Sequence, residues 1–176
     1  LYIVHMADKE GLEVALEAKR EGADIFVETC PQYLEFTSDV YKREDGRNFV
    51  CSPPMKGQES QDALWLAIQN GSIDTVATDH CPFQSYEKDW GKDDYTKIPN
   101  GCAGVENLYP YMLDAANRGK ISFERAVELC STNVAKIFGC DDKGTLEVGK
   151  DADIVIVDND INVQATICRG VLAYQK

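Results

Sequence analysis

Apolar residues in the first half of this chain come in short continuous runs rather than in alternation with polar ones. Leu1-Tyr2-Ile3-Val4, the Ile25-Phe26-Val27 centre of the stretch Ala23 to Thr29, and Thr75-Val76-Ala77-Thr78 are three such runs. Continuous apolar runs of strand length predict parallel strands covered on both faces. Between them the pattern changes to the helical period. Lys9 to Arg20 places Leu12, Ala15 and Leu16 on one face and Glu and Lys on the other, and Gly22 suits the stop. Ser60 to Gln69 groups Leu64, Trp65 and Ile68, with Ser60 as the cap and Asn70-Gly71 as the stop. Strand, helix, strand, helix, strand predicts an α/β fold with parallel pairing and right-handed crossovers.

Thr37 to Pro54 reads as loop, and so does the polar stretch Gln84 to Gly104. Loops this long inside a domain are usually functional. Helices are predicted over residues 105–117, 122–130 and 132–138, the last closed by Gly139. The pattern then shifts again. Lys143 to Gly149 reads as a short hairpin leading into a strand at Ala152 to Asp158, and Gln164 to Arg169 and Val171 to Tyr174 read as further short strands. The expected division is residues 1–140 as an α/β portion and 141–176 as part of a small β domain. Leu1 already reads as the inside of a strand, so the chain is expected to be a piece of a longer protein.

Composition narrows the function classes. The formal charge is −12, from 30 acidic against 18 basic residues. That argues against a nucleic-acid backbone as partner, which needs a basic face. There is no apolar run near the length of a membrane span and no targeting segment, so no membrane partner and a cytoplasmic location are expected. Seven cysteines (Cys30, Cys51, Cys81, Cys102, Cys130, Cys140 and Cys168) are scattered singly with no CxxC pair, which suggests buried reduced thiols rather than a disulfide framework.

Candidate chemistry gathers where strands end. Thr75-Val76-Ala77-Thr78-Asp79-His80-Cys81-Pro82-Phe83 delivers a carboxylate to a strand's C-terminal end, the position at which α/β folds place reactive groups. His5 stands at the same end of the first run, and an imidazole and a carboxylate on one face are suitable ligands for a divalent metal such as zinc. Two ligands do not complete a site, and spacing alone leaves the metal and structural readings both open. His80, next to Asp79, points to the opposite face of a strand, so it could support a ligand or be structural, and the structural reading is preferred. Glu28, at the end of the second strand, could be a buried acid supporting a ligand, a cap or an ion-pair partner. Ser52, in Cys51-Ser52-Pro53-Pro54, lacks a nearby histidine, so a nucleophile role is weak. Asn100-Gly101 after Pro99 ordinarily marks a turn.

These pieces in their order, with Glu28-Thr29-Cys30-Pro31-Gln32-Tyr33, Gly91-Lys92-Asp93-Asp94, Ile98-Pro99-Asn100-Gly101, Ser131 to Gly139 and Gly149-Lys150-Asp151-Ala152-Asp153, resemble the dihydropyrimidinases and hydantoinases. Those are cyclic amidohydrolases of the metal-dependent amidohydrolase superfamily. The resemblance implies the C-terminal part of a (β/α)8 barrel, strands six to eight, plus part of a small β-sandwich. It implies hydrolysis of a 5,6-dihydropyrimidine or 5-substituted hydantoin to an N-carbamoyl amino acid. It implies two divalent metal ions, usually zinc, bridged by a carbamylated lysine that this chain does not contain. His5 and Asp79 are then metal ligands, Asp79 also the catalytic proton carrier, and Ser52 and Asn100 contacts to a cyclic ureide or imide. A homotetramer is implied for the full-length protein, and the isolated piece is expected to be inactive. The same family contains non-catalytic scaffold relatives without the metal centre, which stand as the alternative.

Overall fold

Three short strands pair in parallel in the order β1-β2-β3 in the computed structural model, which describes residues 1–176. They are β1 (Tyr2–Ile3), β2 (Phe26–Thr29) and β3 (Thr75–Val76), with Tyr2 opposite Phe26 and Glu28 opposite Thr75. The strands are shorter than their apolar runs. β1 and β3 each have one partner, and each run stops at a residue with positive φ, His5 at 41° and Asp79 at 46°. Backbone bonds prolong the pairing slightly, from Phe26 N–H to Leu1 O at 2.9 Å and from Ala77 N–H to Thr29 O at 3.0 Å. The chain divides into two compact units, Leu1–Leu108 and Tyr109–Lys176.

In the first unit, helix α1 (Lys9–Arg20) follows the predicted span, with the Asp8 carboxylate accepting from Gly11 N–H at 2.7 Å as its cap. A short helix α2 (Pro31–Glu35) leaves β2 with proline in its first turn. Helix α3 (Gln58–Gln69) begins two residues before the predicted start, capped at Gly57. Ser60 is therefore no cap. It is buried inside the first turn and accepts from Lys9 N–H at 3.2 Å, so its hydroxyl ties α3 to the start of α1. Lys19 of α1 pairs with Asp74 at 2.7 Å, and Asp74 also accepts from Val27 N–H at 2.8 Å. Val27, Cys30, Leu64, Ile68 and Ile73 are fully buried around the sheet. Each buried aliphatic side chain of this kind contributes about 1.5–3 kcal/mol.

In the second unit, helix α5 (Leu108–Asn117; the intervening α4 is Ser85–Lys88) starts later than predicted. Residues 105–107 form a turn instead, with Asn107 and Leu108 N–H both bonding Gly104 O, and Pro110 falls in the helix's first turn, where its missing N–H costs nothing. The two helices predicted over 122–138 are one helical run. Helix α6 (Phe123–Val127), capped by Ser122, passes through a π segment at Glu128–Thr132 into α7 (Asn133–Ile137). The tail forms an antiparallel sheet of β4 (Ile154–Val157), β5 (Val163–Cys168) and β6 (Val171–Gln175). The hairpin expected at Lys143 to Gly149 is a set of turns. Lys143 there bonds Asp151 at 2.7 Å and Asp153 at 2.5 Å, so the acids of the Asp-Ala-Asp motif anchor a loop by charge. No helix is long and apolar enough to cross a membrane.

Candidate active site

The C-terminal ends of the parallel strands present His5, Cys30 and Asp79. Cys30 ends the central strand and is buried, and desolvation raises its thiol pKa far above the usual range. His5 and Asp79 end the flanking strands, His5 half-buried and Asp79 exposed. Both adopt left-handed backbone. For a residue with a Cβ that conformation costs about 1–2 kcal/mol, and Asp and His are among the types that visit it most often. It turns the backbone out of the strand at the two positions that carry a donor. Because Asp79 has left the extended conformation, the alternation argument for His80 does not apply. His80 Nδ1 accepts from Gly104 N–H at 3.0 Å and Val105 N–H at 3.2 Å, which places its proton on Nε2.

Glu28 is neither a cap nor an ion-pair partner. Its carboxylate accepts the Tyr2 hydroxyl at 2.7 Å and His5 N–H at 3.4 Å, so it steadies the turn that carries His5. Tyr2 also contacts Thr75 Oγ1 at 2.6 Å, and burial raises its phenol pKa. Across β3, the Gln32 amide reaches Thr78 O at 3.4 Å, one residue before Asp79.

Two loops join this end of the sheet. Residues Cys51-Ser52-Pro53-Pro54, with the Ser52–Pro53 peptide cis, are held by the Tyr33 hydroxyl on Pro53 O at 2.9 Å. Ser52 Oγ donates to Asn100 Oδ1 at 3.0 Å, so the two residues singled out separately in the sequence are brought together. Gly101 N–H bonds Val50 O at 3.0 Å and continues the junction along the backbone. A Cβ on Gly101 would lie 2.5 Å from Cys81 O, and one on Gly91 would lie 2.5 Å from Ile98 N. The glycines of both loop motifs are thus positions where backbones pass too closely for a side chain.

Sequence reasoning missed Lys88. It is 3% exposed, and its ammonium donates to Val50 O at 2.8 Å, Pro99 O at 2.5 Å and Gly101 O at 2.8 Å, with the Phe83 ring 5.3 Å away. Three carbonyls match the three donors of an ammonium. Burial lowers the lysine pKa. Beside it, Cys51 and Cys102 interact, and the interaction with Cys51 together with the Lys88 charge lowers the Cys102 thiol to about 7 while Cys51 is raised. All seven cysteines are free, but only Cys30 and Cys51 are fully buried; Cys81, Cys140 and Cys168 are exposed. The expectation of buried thiols is corrected accordingly.

As a metal site the arrangement is partial. His5 and Asp79 offer donors of suitable chemistry at one end of the sheet, but no group of three or more His, Cys, Asp or Glu side chains converges anywhere in the chain. A catalytic zinc takes three protein ligands or more.

The amidohydrolase family model matches residues 9–173. The chain belongs to the amidohydrolase family. It is 43% identical over 161 residues to a D-phenylhydantoinase of Escherichia coli, covering 90% of this chain and 35% of that protein. It is 42% identical to a D-hydantoinase of Rhizobium radiobacter, with 90% and 35% coverage. The crystal structure of a dihydropyrimidinase from Brevibacillus agri superposes with a TM-score of 0.93 at 36% identity, covering 99% of this chain and 44% of that one. This amidohydrolase chain therefore spans about a third of the length of the curated relatives it matches. The α/β architecture accords with the amidohydrolase fold of these neighbours.

Proposed function

We propose that this chain is the C-terminal portion of a metal-dependent cyclic amidohydrolase that opens a 5,6-dihydropyrimidine or 5-substituted hydantoin to an N-carbamoyl amino acid. The observation that supports the reading is the position of His5 and Asp79 at the same end of the parallel sheet, both in left-handed conformation, in a chain whose relatives are named hydantoinases and dihydropyrimidinases. In this reading β1, β2 and β3 are the sixth, seventh and eighth strands of a (β/α)8 barrel, and the antiparallel tail belongs to a small β-sandwich.

His5 would hold a divalent ion, zinc in the family resemblance, through a neutral imidazole nitrogen, with Glu28 fixing its backbone. Asp79 would share in holding the ions, two per subunit, together with a carbamylated lysine from the remainder of the full-length protein. When bound, such ions polarise a carbonyl and lower the pKa of water. Asp79 takes the proton of the attacking water and returns it to the departing ring nitrogen, the general acid–base role its exposed carboxylate suits. Ser52 and Asn100, with the backbone of their loops, hold the alternating N–H and C=O edge of the ring.

The test uses the full-length protein. Dihydrouracil and a 5-monosubstituted hydantoin are supplied, and the N-carbamoyl product is followed by chromatography with metal content measured in parallel. Ring opening with two bound metal ions per subunit supports the reading. A folded protein with no bound metal and no product overturns it in favour of a non-catalytic scaffold.

A further inference from the structure

Cys51 and Cys102 are the first residues past a single clamp. Lys88 Nζ bonds the carbonyls immediately preceding them, Val50 O and Gly101 O, each at 2.8 Å. Gly101 N–H bonds Val50 O at 3.0 Å, so the two backbones are already joined one residue before the cysteines. The two thiols follow directly on this junction and interact electrostatically with each other, and Cys51 Sγ also lies 3.2 Å from Pro53 O. Cys51 is buried and Cys102 is half-exposed, which gives the pair one thiol open to solvent and one sheltered behind it.

We propose that Cys51 and Cys102 form a modification site, an oxidisable thiol pair that a peroxide converts to a disulfide linking the Ser52 loop to the Asn100 turn. The Cys102 thiolate attacks one peroxide oxygen, the O–O bond breaks, and hydroxide leaves, giving a sulfenic acid. The Cys51 sulfur then attacks the sulfenic sulfur. Its proton and the sulfenic hydroxyl leave as water. Two thiols and one hydrogen peroxide thus become one disulfide and two waters. The interaction with Cys51 and the Lys88 ammonium favour the Cys102 thiolate, whereas burial and the Asp79 charge oppose it. Cys51 adjoins Ser52 and Cys102 follows Asn100 by two residues, so the new bond immobilises the loops assigned above to the substrate. That consequence rests on the proposed function; the cross-link itself does not.

The experiment treats the reduced full-length protein with a few equivalents of hydrogen peroxide, blocks the remaining thiols with N-ethylmaleimide, and maps tryptic peptides without reduction. Trypsin places Cys51 in residues 48–56, Cys81 in 57–88 and Cys102 in 98–118, so each linkage has its own mass. The expected product joins 48–56 to 98–118 with the loss of two hydrogens and is reversed by dithiothreitol. Hydrolytic activity falls as it forms and returns on reduction, whereas Cys102→Ser and Cys102→Ala keep their starting activity through the same treatment. Cys102 recovered as sulfinic acid, or joined to Cys81, or unmodified while peroxide is consumed, overturns the proposal. If the protein hydrolyses neither ring, the peptide map still decides the question, so the two readings fail separately.

Discussion

At the strand ends His5 and Asp79 are set by backbone conformation, each in a left-handed turn, and no third ligating side chain converges with them. The loop side is built differently. Ser52, Asn100, Gly101 and Lys88 are joined by side-chain and backbone bonds that this chain supplies itself. One side of the candidate site is thus positioned but incomplete, and the other is a closed network. On the proposed function the difference separates two jobs: reactive groups would be placed where further ligands can reach them, and recognition surfaces would be fixed before a ring arrives, which lowers the ordering cost of binding.

The sharpest way to break this comparison is at Asp79. In the full-length protein Asp79→Asn keeps the size of the side chain but removes the proton acceptor, and kcat should fall about 10²–10⁴-fold or more with the melting temperature nearly unchanged. Retention of more than a tenth of the activity would remove Asp79 from the chemistry. The loop side should answer in stability instead. Lys88→Met leaves the Val50, Pro99 and Gly101 carbonyls without their shared donor, and one unsatisfied buried group costs about 1–3 kcal/mol. A loss of about 3 kcal/mol in urea unfolding is expected, with KM raised more than kcat is lowered. An unchanged midpoint would mean that water serves those carbonyls and that the clamp is dispensable.

A tenfold effect should appear at the thiols. With Cys102 at about 7, its alkylation by iodoacetamide should rise about tenfold between pH 6 and pH 8 and then level, because a thiolate accumulates only up to the region just above its pKa. Lys88→Met, which removes the neighbouring positive charge, should move that plateau to higher pH. A profile still climbing through pH 9 in the parent protein would show that neither Cys51 nor the lysine favours the Cys102 thiolate.

How much of this was readable in the sequence follows from the range of each interaction. Helix α1 matched its predicted span because its period and its Gly22 stop are local, and the Asp8 cap lies one residue before it. His5 and Asp79 were legible as strand ends, but not their left-handed conformation, which follows from how the chain leaves each strand. Ser60 misled because a serine before an apolar run looks like a cap, while its real partner is Lys9, 51 residues away. Lys88 gave no signal at all. In Tyr86-Glu87-Lys88-Asp89 it reads as a solvated charge, and two of the three groups that bury it lie 38 and 13 residues away in sequence. The π segment was missed because the pattern was divided into two helices at residue 131, whereas the chain runs through by widening one turn.

The smallest expected effect tests whether the loop side acts on the substrate or merely on itself. Ser52 Oγ and Asn100 Oδ1 are 3.0 Å apart in an exposed bond, so losing it through Ser52→Ala should cost about 0.5–1 kcal/mol. Stability should barely change, because Lys88 and the Gly101–Val50 bond still hold the loops together. If these residues present the ring's edge, that small energy appears in binding, as a two- to fivefold rise in KM at constant kcat. If they only brace one another, KM stays where it was and the hydrogen bond is structural. A fall in kcat without a change in KM would place Ser52 on the strand-end side of the comparison, with Asp79, and the separation of the two jobs would not stand.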